Sequence, residues 1–403
     1  MSTKTTVSTK TNRSVIGVLA AGLAFTGLGA APAQASPDNT DEKPRPMTSA
    51  EARTTQLQVQ KVRKAVARAG LESRMRAELA KHGIEWPARP AIQRTSDELC
   101  QSETELSRAL EAHQAKLTLT DRVFLTLTLA DMLPSLEVML AQQPSDAPLA
   151  DTGKAKQLQQ HLAGLQGFWD VDGSRIQLMG MSGQMLADEQ RVQKVYERLL
   201  VPSSVAEVLA EAISTYVKTS PGLDGGRNPV FSFNAYAVRD AEDVQRGGRI
   251  AMGQGLLDVY DELGHGDVAP QVVLAHEYAH QVQYRNGMID DQTPASPEQT
   301  RYTELHADAS AGYYTVHQQG GRLLPARTPA VSQVLYGIGD CNLDSNGHHG
   351  TPAQRRRAGQ WGIGLATADP GRVMGNAQLR SLYDQQLPQL LGGTAAAAGR
   401  DAA

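Results

Sequence analysis

The chain has 403 residues, of which 40% are hydrophobic and 20% are charged, values that are ordinary for a globular protein of two or three domains. Its 39 lysines and arginines against 43 aspartates and glutamates give a formal net charge of −4 at pH 7. A mildly acidic chain has no electrostatic attraction to nucleic acid or to an anionic membrane, so neither is expected as a partner.

Residues 1–35 are predicted to be a cleavable secretory signal peptide. Their only charged side chains are Lys4, Lys10 and Arg13, which precede the apolar run VIGVLAAGLAFTGLGAA and an Ala-x-Ala site at residues 33–35. The run is short and ends in small residues, which favours cleavage over retention as a membrane anchor. We therefore expect an exported protein, secreted or periplasmic, with no stable membrane anchor after cleavage.

Polar segments containing Pro, Asp and Gly divide the rest of the chain. A flexible leader is expected at residues 36–48, followed by a mostly helical N-terminal region at 49–200, in which Ala, Glu, Lys, Arg and Leu recur at helical spacing. The most apolar stretch there, residues 117–141, contains charged residues and a proline, which favours a buried core helix over a membrane span. A second domain is expected at 201–366, and a C-terminal helix with a disordered tail at 367–403.

The second domain is predicted to begin with a helix and to continue with two strands. Ser204 and Glu207 have the spacing of a capping box, which predicts a helix from Ser204 to about Val217. The following segments PVFSFNAYAV and GGRIAMGQG are strand-like in residue type and are bounded by glycine and proline.

The segment APQVVLAHEYAHQVQYRNG contains His276-Glu277-x-x-His280. Residues four apart on a helix lie on one face, so both imidazoles can bind one metal ion, with Glu277 beside them. The apolar residues before the motif predict a buried helix that would hold these ligands rigidly. Because so short a pattern also arises by chance, a third ligand is needed to support a metal site.

The third ligand also decides the class of zinc site. Gln283 and Asn286 stand where the metzincin peptidases need glycine and histidine, which excludes that class. In the later helix RYTELHADASAGYY, Glu304 would complete a His₂Glu site that leaves one position open to water. Asp308, four residues on, would accept a hydrogen bond from a ligand histidine. The alternative is a plain acidic helix face.

Two basic side chains, His306 and Arg355, are predicted to lie at the surface. His306 points away from Glu304 on a helical wheel and is expected to be solvated. Arg355 begins an Arg-Arg-Arg run that is expected to form an exposed cationic face, with assistance at the site as the alternative.

The blocks HEYAHQVQ, ELHADASAG and GIGDCNLDSNGHHGTPAQRRRAG resemble the signature segments of the neutral zinc metallopeptidases and, more broadly, of the minigluzincin peptidases. Upstream, FNAYAV and GRIAMGQGLLDVYDELG resemble the edge strand and helix that precede the zinc helix in those proteins. The resemblance covers about residues 228–366 and leaves the N-terminal half unassigned. The chain departs from the family pattern at Ala279, where glycine is usual, and at His348, an extra histidine beside His349.

The resemblance implies an α+β fold of the zincin type, a small sheet packed on the zinc helix, preceded here by a mostly helical domain. It implies one Zn²⁺ bound by His276, His280 and Glu304. It also points to Asn234 as a contact to the substrate backbone, in an edge strand that would pair with an extended peptide.

In this interpretation the protein is a zinc endopeptidase that acts on proteins or peptides. Glu277 would act as the general base toward a zinc-activated water. His349 precedes Thr351-Pro352, a predicted N-cap and N1 pair, and a rigid loop there could present it to the developing oxyanion. The alternative for His348 and His349 is that both are ordinary loop histidines.

The sequence leaves two other functions and one disulfide pairing undecided. The chain could be a binding or assembly protein that keeps a zinc scaffold without turnover, or a zinc amidase that acts on cell-wall peptides. Cys100 and Cys341 are the only cysteines, and an exported protein meets conditions in which they could pair. The sequence does not show whether they lie within bonding distance.

Overall fold

The computed structural model describes residues 60–67, 70–71, 73–74, 76–77, 100, 103–149, 153–239, 247–289 and 296–392, together with the backbone of residues 17–19. The remainder of the predicted signal peptide, the predicted leader and the tail from residue 393 lie outside the described residues. The described chain is mixed α and β and mostly helical, with one small sheet, so the predicted α+β class is confirmed at that level.

Helices surround the sheet, and residues 60–67 are also helical. Among the described residues, the other helices of eight residues or more are α1 Glu105–Ala115, α2 Leu119–Thr128, α3 Leu133–Leu140, α4 Gly153–Phe168, α5 Glu189–Arg198, α6 Ser203–Thr219, α7 Gln254–Glu262, α8 Ala269–Arg285, α9 Pro297–Val316, α10 Thr328–Gly337, α11 Pro352–Ala368 and α12 Asn376–Leu390.

The sheet has the strand order β1-β3-β4-β2, with β1 Gly17–Leu19, β2 Gln177–Met181, β3 Ala235–Arg239 and β4 Gly248–Gly253. β3 and β4 are antiparallel, with Ala235 opposite Met252, and they confirm the two predicted strands. β2 pairs with β4 in parallel. The sequence did not predict β2, and its pairing shows that the N-terminal region and the second domain share one sheet.

Two helix predictions need correction. α6 begins at Ser203, directly after Pro202 at its N-cap, and no side chain caps it. Ser204 therefore lies inside the first turn and the predicted capping box is wrong. The apolar stretch 117–141 forms two main helices, α2 and α3, because Leu129 adopts a left-handed conformation with φ 55° between them.

The apolar side chains of α2 and α3 belong to a core that also includes α5, α6 and β2. Among the described residues, no single helix is long and apolar enough to cross a membrane. α2 and the stretch Ala130–Leu140, bent by 72° relative to each other, reach that length and composition only as a pair.

α8 lies at the centre of the second core and is buried along almost its whole length, Ala269 to Tyr284. It packs against α4, α9 and the sheet. Gln281 fixes it to the sheet, because its amide donates to the carbonyls of Val238 in β3 and Arg249 in β4, both at 3.0 Å. The two predicted ligand histidines thus lie on a helix that is buried and hydrogen-bonded to the sheet.

α9 and α11 cross at unusually close range. A Cβ on Gly312 would lie 2.3 Å from the carbonyl oxygen of Gly359, and a Cβ on Gly362 would lie 1.9 Å from that of Ala309. Only glycine permits this approach. It brings the N-terminal part of α11 against the face of α9 that carries Asp308.

Cys100 and Cys341 form a disulfide, with their Cα atoms 5.9 Å apart. The bond joins the residues before α1 to the irregular segment 338–351, which lies between α10 and α11. The sequence left this pairing open.

Candidate metal centre

His276 and His280 of α8 meet Glu304 of α9 in the interior of the protein, and all three are buried. The two Nε2 atoms are 3.1 Å apart. Glu304 lies 3.2 Å from His276 Nε2 through Oε2 and 3.3 Å from His280 Nε2 through Oε1. Within the described chain, this is the only group of three or more His, Cys, Asp or Glu residues that could hold a metal ion.

The tautomer of His276 follows from its second nitrogen. His276 Nδ1 lies 2.8 Å from Oδ1 of Asp308, which is also fully buried. An ionised carboxylate can only accept, so Nδ1 carries the proton. In the neutral imidazole the lone pair of Nε2 therefore faces Glu304 and His280, as metal binding requires.

Gln283 fixes the tautomer of His280, as Asp308 does for His276. Its amide nitrogen donates to the carbonyl oxygen of Thr303 at 2.7 Å, which orients the amide and leaves Oε1 2.8 Å from His280 Nδ1. An amide oxygen can only accept, so His280 Nδ1 carries the proton and its Nε2 lone pair faces the cluster. In the sequence Gln283 served only to exclude the metzincins, and this orienting role was missed.

His306 is buried at 2% exposure, so the prediction of a solvated side chain is wrong. Its Nδ1 lies 3.1 Å from the Gln283 amide nitrogen, and its ring packs edge-on against Tyr383 of α12. Burial lowers the pKa of His306 to about 3, and the side chain is neutral. The helical-wheel argument failed because α12 covers the side of α9 that faces away from Glu304.

Arg355 is completely buried, so the predicted exposed cationic face is wrong at this position. Its Nε and Nη2 each donate to the Asp308 carboxylate at 2.8 Å, and Nη1 donates to the carbonyl of Ile338 at 3.1 Å. Burial lowers its pKa, but the carboxylates of Asp308 and Glu304 more than offset this, so the pKa is raised and the guanidinium is charged. The close crossing of α9 and α11 places it there.

Glu277 points both carboxylate oxygens into buried space, where neither has a hydrogen-bond partner among the described residues. Burial raises the pKa of Glu277 to about 8. One Glu304 oxygen, Oε2, likewise has no hydrogen-bond donor there. Buried carboxylates without partners are unfavourable unless another group satisfies them.

His349 is the one of the two loop histidines that faces the cluster. It is buried at 2% exposure, and its backbone N–H and Nδ1 lie 2.8 and 3.3 Å from Oδ2 of Asp340. Burial lowers the pKa of His349, but Glu304 and then Asp340 raise it above its ordinary value. His348 instead binds Oδ1 of Asp340 through Nδ1 at 2.7 Å.

Asn234 lies one residue before β3 and is half-buried. Its Oδ1 accepts from the N–H of Ala235, and its carbonyl accepts from the N–H of Gly253. The described contacts do not join it to the metal cluster. The structure therefore brings Glu277, Asp308 and His349 to the ligand group and leaves Asn234 at the end of the strand.

No protein-family model, curated protein or solved structure matches this chain. The family is thus not shown by comparison.

Proposed function

We propose that the protein is an exported zinc peptidase with a zincin-like fold, and that His276, His280 and Glu304 bind one Zn²⁺. One observation carries the proposal. Ligands held tetrahedrally at about 2.0–2.1 Å from zinc lie about 3.3 Å from one another. Here the two Nε2 atoms are 3.1 Å apart, and each lies against a different oxygen of Glu304, Oε2 at 3.2 Å from His276 and Oε1 at 3.3 Å from His280.

The protonation of the histidines supports the same assignment. Both Nδ1 atoms carry protons toward Asp308 and Gln283, so in the neutral imidazoles two Nε2 lone pairs face each other at 3.1 Å. Such an arrangement is repulsive unless a proton or a metal cation lies between them. Two imidazoles and one carboxylate are a donor set typical of catalytic zinc, which keeps its fourth position for water.

The buried charges call for a divalent cation. With Glu277 protonated, as its raised pKa of about 8 implies at pH 7, Glu304, Asp308 and Arg355 leave a net charge of −1. A Zn²⁺ ion would favour the ionised form of Glu277, and the sum over the three carboxylates, Arg355 and the metal would then be zero. Uncompensated charge is costly in a dry interior, so charge balance favours the metal-bound form.

When bound, zinc would supply the Lewis acidity that activates a water molecule and polarises a peptide carbonyl. Glu277 would accept the proton of the attacking water and pass it to the leaving amine. His349, held through Nδ1 by Asp340, would donate through Nε2 toward the developing oxyanion. Asp308 and Gln283 keep the ligand histidines in the required tautomer.

Proteins or peptides fit the site as substrates. β3 lies next to α8, and its outer edge pairs with an extended segment of this same chain, with Gly17 opposite Ala237 and Leu19 opposite Ala235. This edge can therefore hydrogen-bond an extended backbone, a mode that gives affinity with little sequence selectivity. Asn234 would lie at the end of that strand. The disulfide supports an exported protein, since such bonds persist in oxidising compartments.

Cleavage of casein by the zinc-loaded wild-type protein and by the Glu277→Gln variant tests the proposal. We expect wild type to cleave casein and the variant, with its zinc still bound, to be at least about 100-fold slower. Equal rates in the two proteins would contradict it. A protein that binds zinc but cleaves nothing is the binding or assembly protein considered above. Release of peptides from purified sacculi but not from casein would identify a cell-wall amidase.

A further inference from the structure

Asp340 binds the candidate catalytic residue His349 and directly precedes the disulfide-bonded Cys341. Its carboxylate receives four hydrogen bonds, from the Asn342 N–H, His348 Nδ1, the His349 N–H and His349 Nδ1. The next residue, Cys341, is covalently bound to Cys100. Two adjacent residues therefore hold His349 and attach the segment to the N-terminal region, Asp340 through hydrogen bonds and Cys341 through the disulfide.

The segment 338–351 has no helix or strand that would otherwise hold this carboxylate in place. Its base is closed by a hydrogen bond from Asp340 N–H to the Gly350 carbonyl at 3.0 Å. Beyond the base, Asn346 accepts from Thr300 at 2.7 Å. The Cys100–Cys341 bond is its one covalent attachment outside the main chain, because these are the only two cysteines.

We propose that Asp340 is the positioning residue of His349, and that the Cys100–Cys341 disulfide holds Asp340 in place, so that turnover depends on the oxidation state of this bond. The inference rests on the proposed peptidase function. The ligands are on α8 and α9 rather than in this segment, so opening the disulfide leaves zinc binding intact. The 3.3 Å contact from His349 Nδ1 is the longest of the four, and we expect it to be lost first when the disulfide opens.

The bond is accessible to a reductant. Both cysteines are half-buried rather than enclosed, and Cys100 lines an open cavity of about 680 Å³. A thiol or dithiol would transfer two electrons and two protons to the bond, leaving two cysteine thiols while the reductant becomes a disulfide. Reoxidation would restore the attachment, so the change in activity is reversible.

The test measures kcat and KM for casein, together with bound zinc, in the full-length protein. Asp340→Ala is expected to lower kcat about 10- to 100-fold and Cys341→Ser about 10-fold, with zinc content unchanged and KM changed less than about twofold. Because both act through His349, the double variant should be no slower than Asp340→Ala alone. Asp340→Asn keeps an acceptor oxygen and should retain more kcat than Asp340→Ala.

Asn342→Ala is the matched control, since this exposed side chain follows Cys341 directly and its kcat should equal that of wild type. Reduction and reoxidation of wild type give the same comparison without a substitution, should Cys341→Ser fold poorly. Wild-type kcat in reduced protein, multiplicative losses in the double variant, or loss of zinc on reduction would each overturn the inference. A wild-type protein without proteolytic activity would instead overturn the proposed function.

Discussion

Arg355 and Asp308 form a completely buried ion pair directly behind His276, with two guanidinium–carboxylate contacts of 2.8 Å. The same guanidinium nitrogen, Nη2, lies 3.5 Å from Oε2 of Glu304. One cation thus touches both carboxylates that α9 presents to the site. The pair fixes the Asp308 oxygen that orients His276.

Breaking this pair should destabilise the protein strongly. In Arg355→Met, Asp308 keeps its charge in a dry interior with His276 but no cationic partner on α11, and breaking a buried ion pair in this way costs about 3–5 kcal/mol in comparable cases. Urea unfolding of the zinc-free protein measures it. Arg356→Met is the matched control, because Arg356 is half-buried over the ring of Tyr336 and its loss should cost less than about 1 kcal/mol. Equal losses in the two variants would contradict the assignment.

Gln283→Leu should weaken zinc binding by about 10- to 100-fold, because His280 would lose the acceptor that fixes its tautomer. Competition with a chromophoric chelator measures the affinity. Gln281→Leu is the control two residues away, since Gln281 contacts the sheet and not the cluster. It should lower the free energy of unfolding and leave the zinc affinity unchanged. A larger effect of Gln281→Leu on zinc would count against the role given to Gln283.

The carboxyl group of Asp131, which is not one of the metal-site residues, should make the free energy of unfolding depend on pH. One of its oxygens is buried without a partner, and burial raises its pKa from 3.8 to about 6. The folded state therefore binds this proton more tightly than the unfolded state. The stabilisation that the protonated Asp131 carboxyl contributes is complete below about pH 4 and is lost as the pH rises through about 6.

Asp131→Asn should accordingly match wild type at pH 4 and exceed its free energy of unfolding by about 1–2 kcal/mol at pH 8. Urea unfolding across this range measures the difference. Asp146→Asn is the control of opposite sign, because hydrogen bonds from Lys194, the Gln142 N–H and Arg198 outweigh burial and lower the pKa of Asp146. That variant should be less stable than wild type at pH 8. A pH-independent difference for Asp131→Asn would contradict the prediction.

The ligand group could be predicted from the sequence because it depends on spacing within single helices. His276 with His280, and Glu304 with Asp308, are pairs four apart, and a helix alone places each pair on one face. The two strands β3 and β4 were also predictable, since Gly and Pro bound them clearly. What the sequence supplied was local geometry.

The wrong and missed predictions concern residues whose surroundings depend on how the helices pack against one another. Arg355 is buried because α9 and α11 cross at glycines, and His306 is buried because α12 covers it. A wheel drawn for one helix assumes that its polar face meets water, which fails for helices packed on several sides. β2 was missed because it has only five residues within an otherwise helical region.

Zinc uptake by the purified protein tests the central claim most directly. After chelator dialysis and reloading, wild type should retain one Zn²⁺ per chain, bound through two imidazole nitrogens at about 2.0–2.1 Å as judged by X-ray absorption at the zinc edge. His276→Ala and His280→Ala should retain none under the same conditions. A wild-type protein without stoichiometric zinc, or variants that retain as much zinc as wild type, would contradict the account.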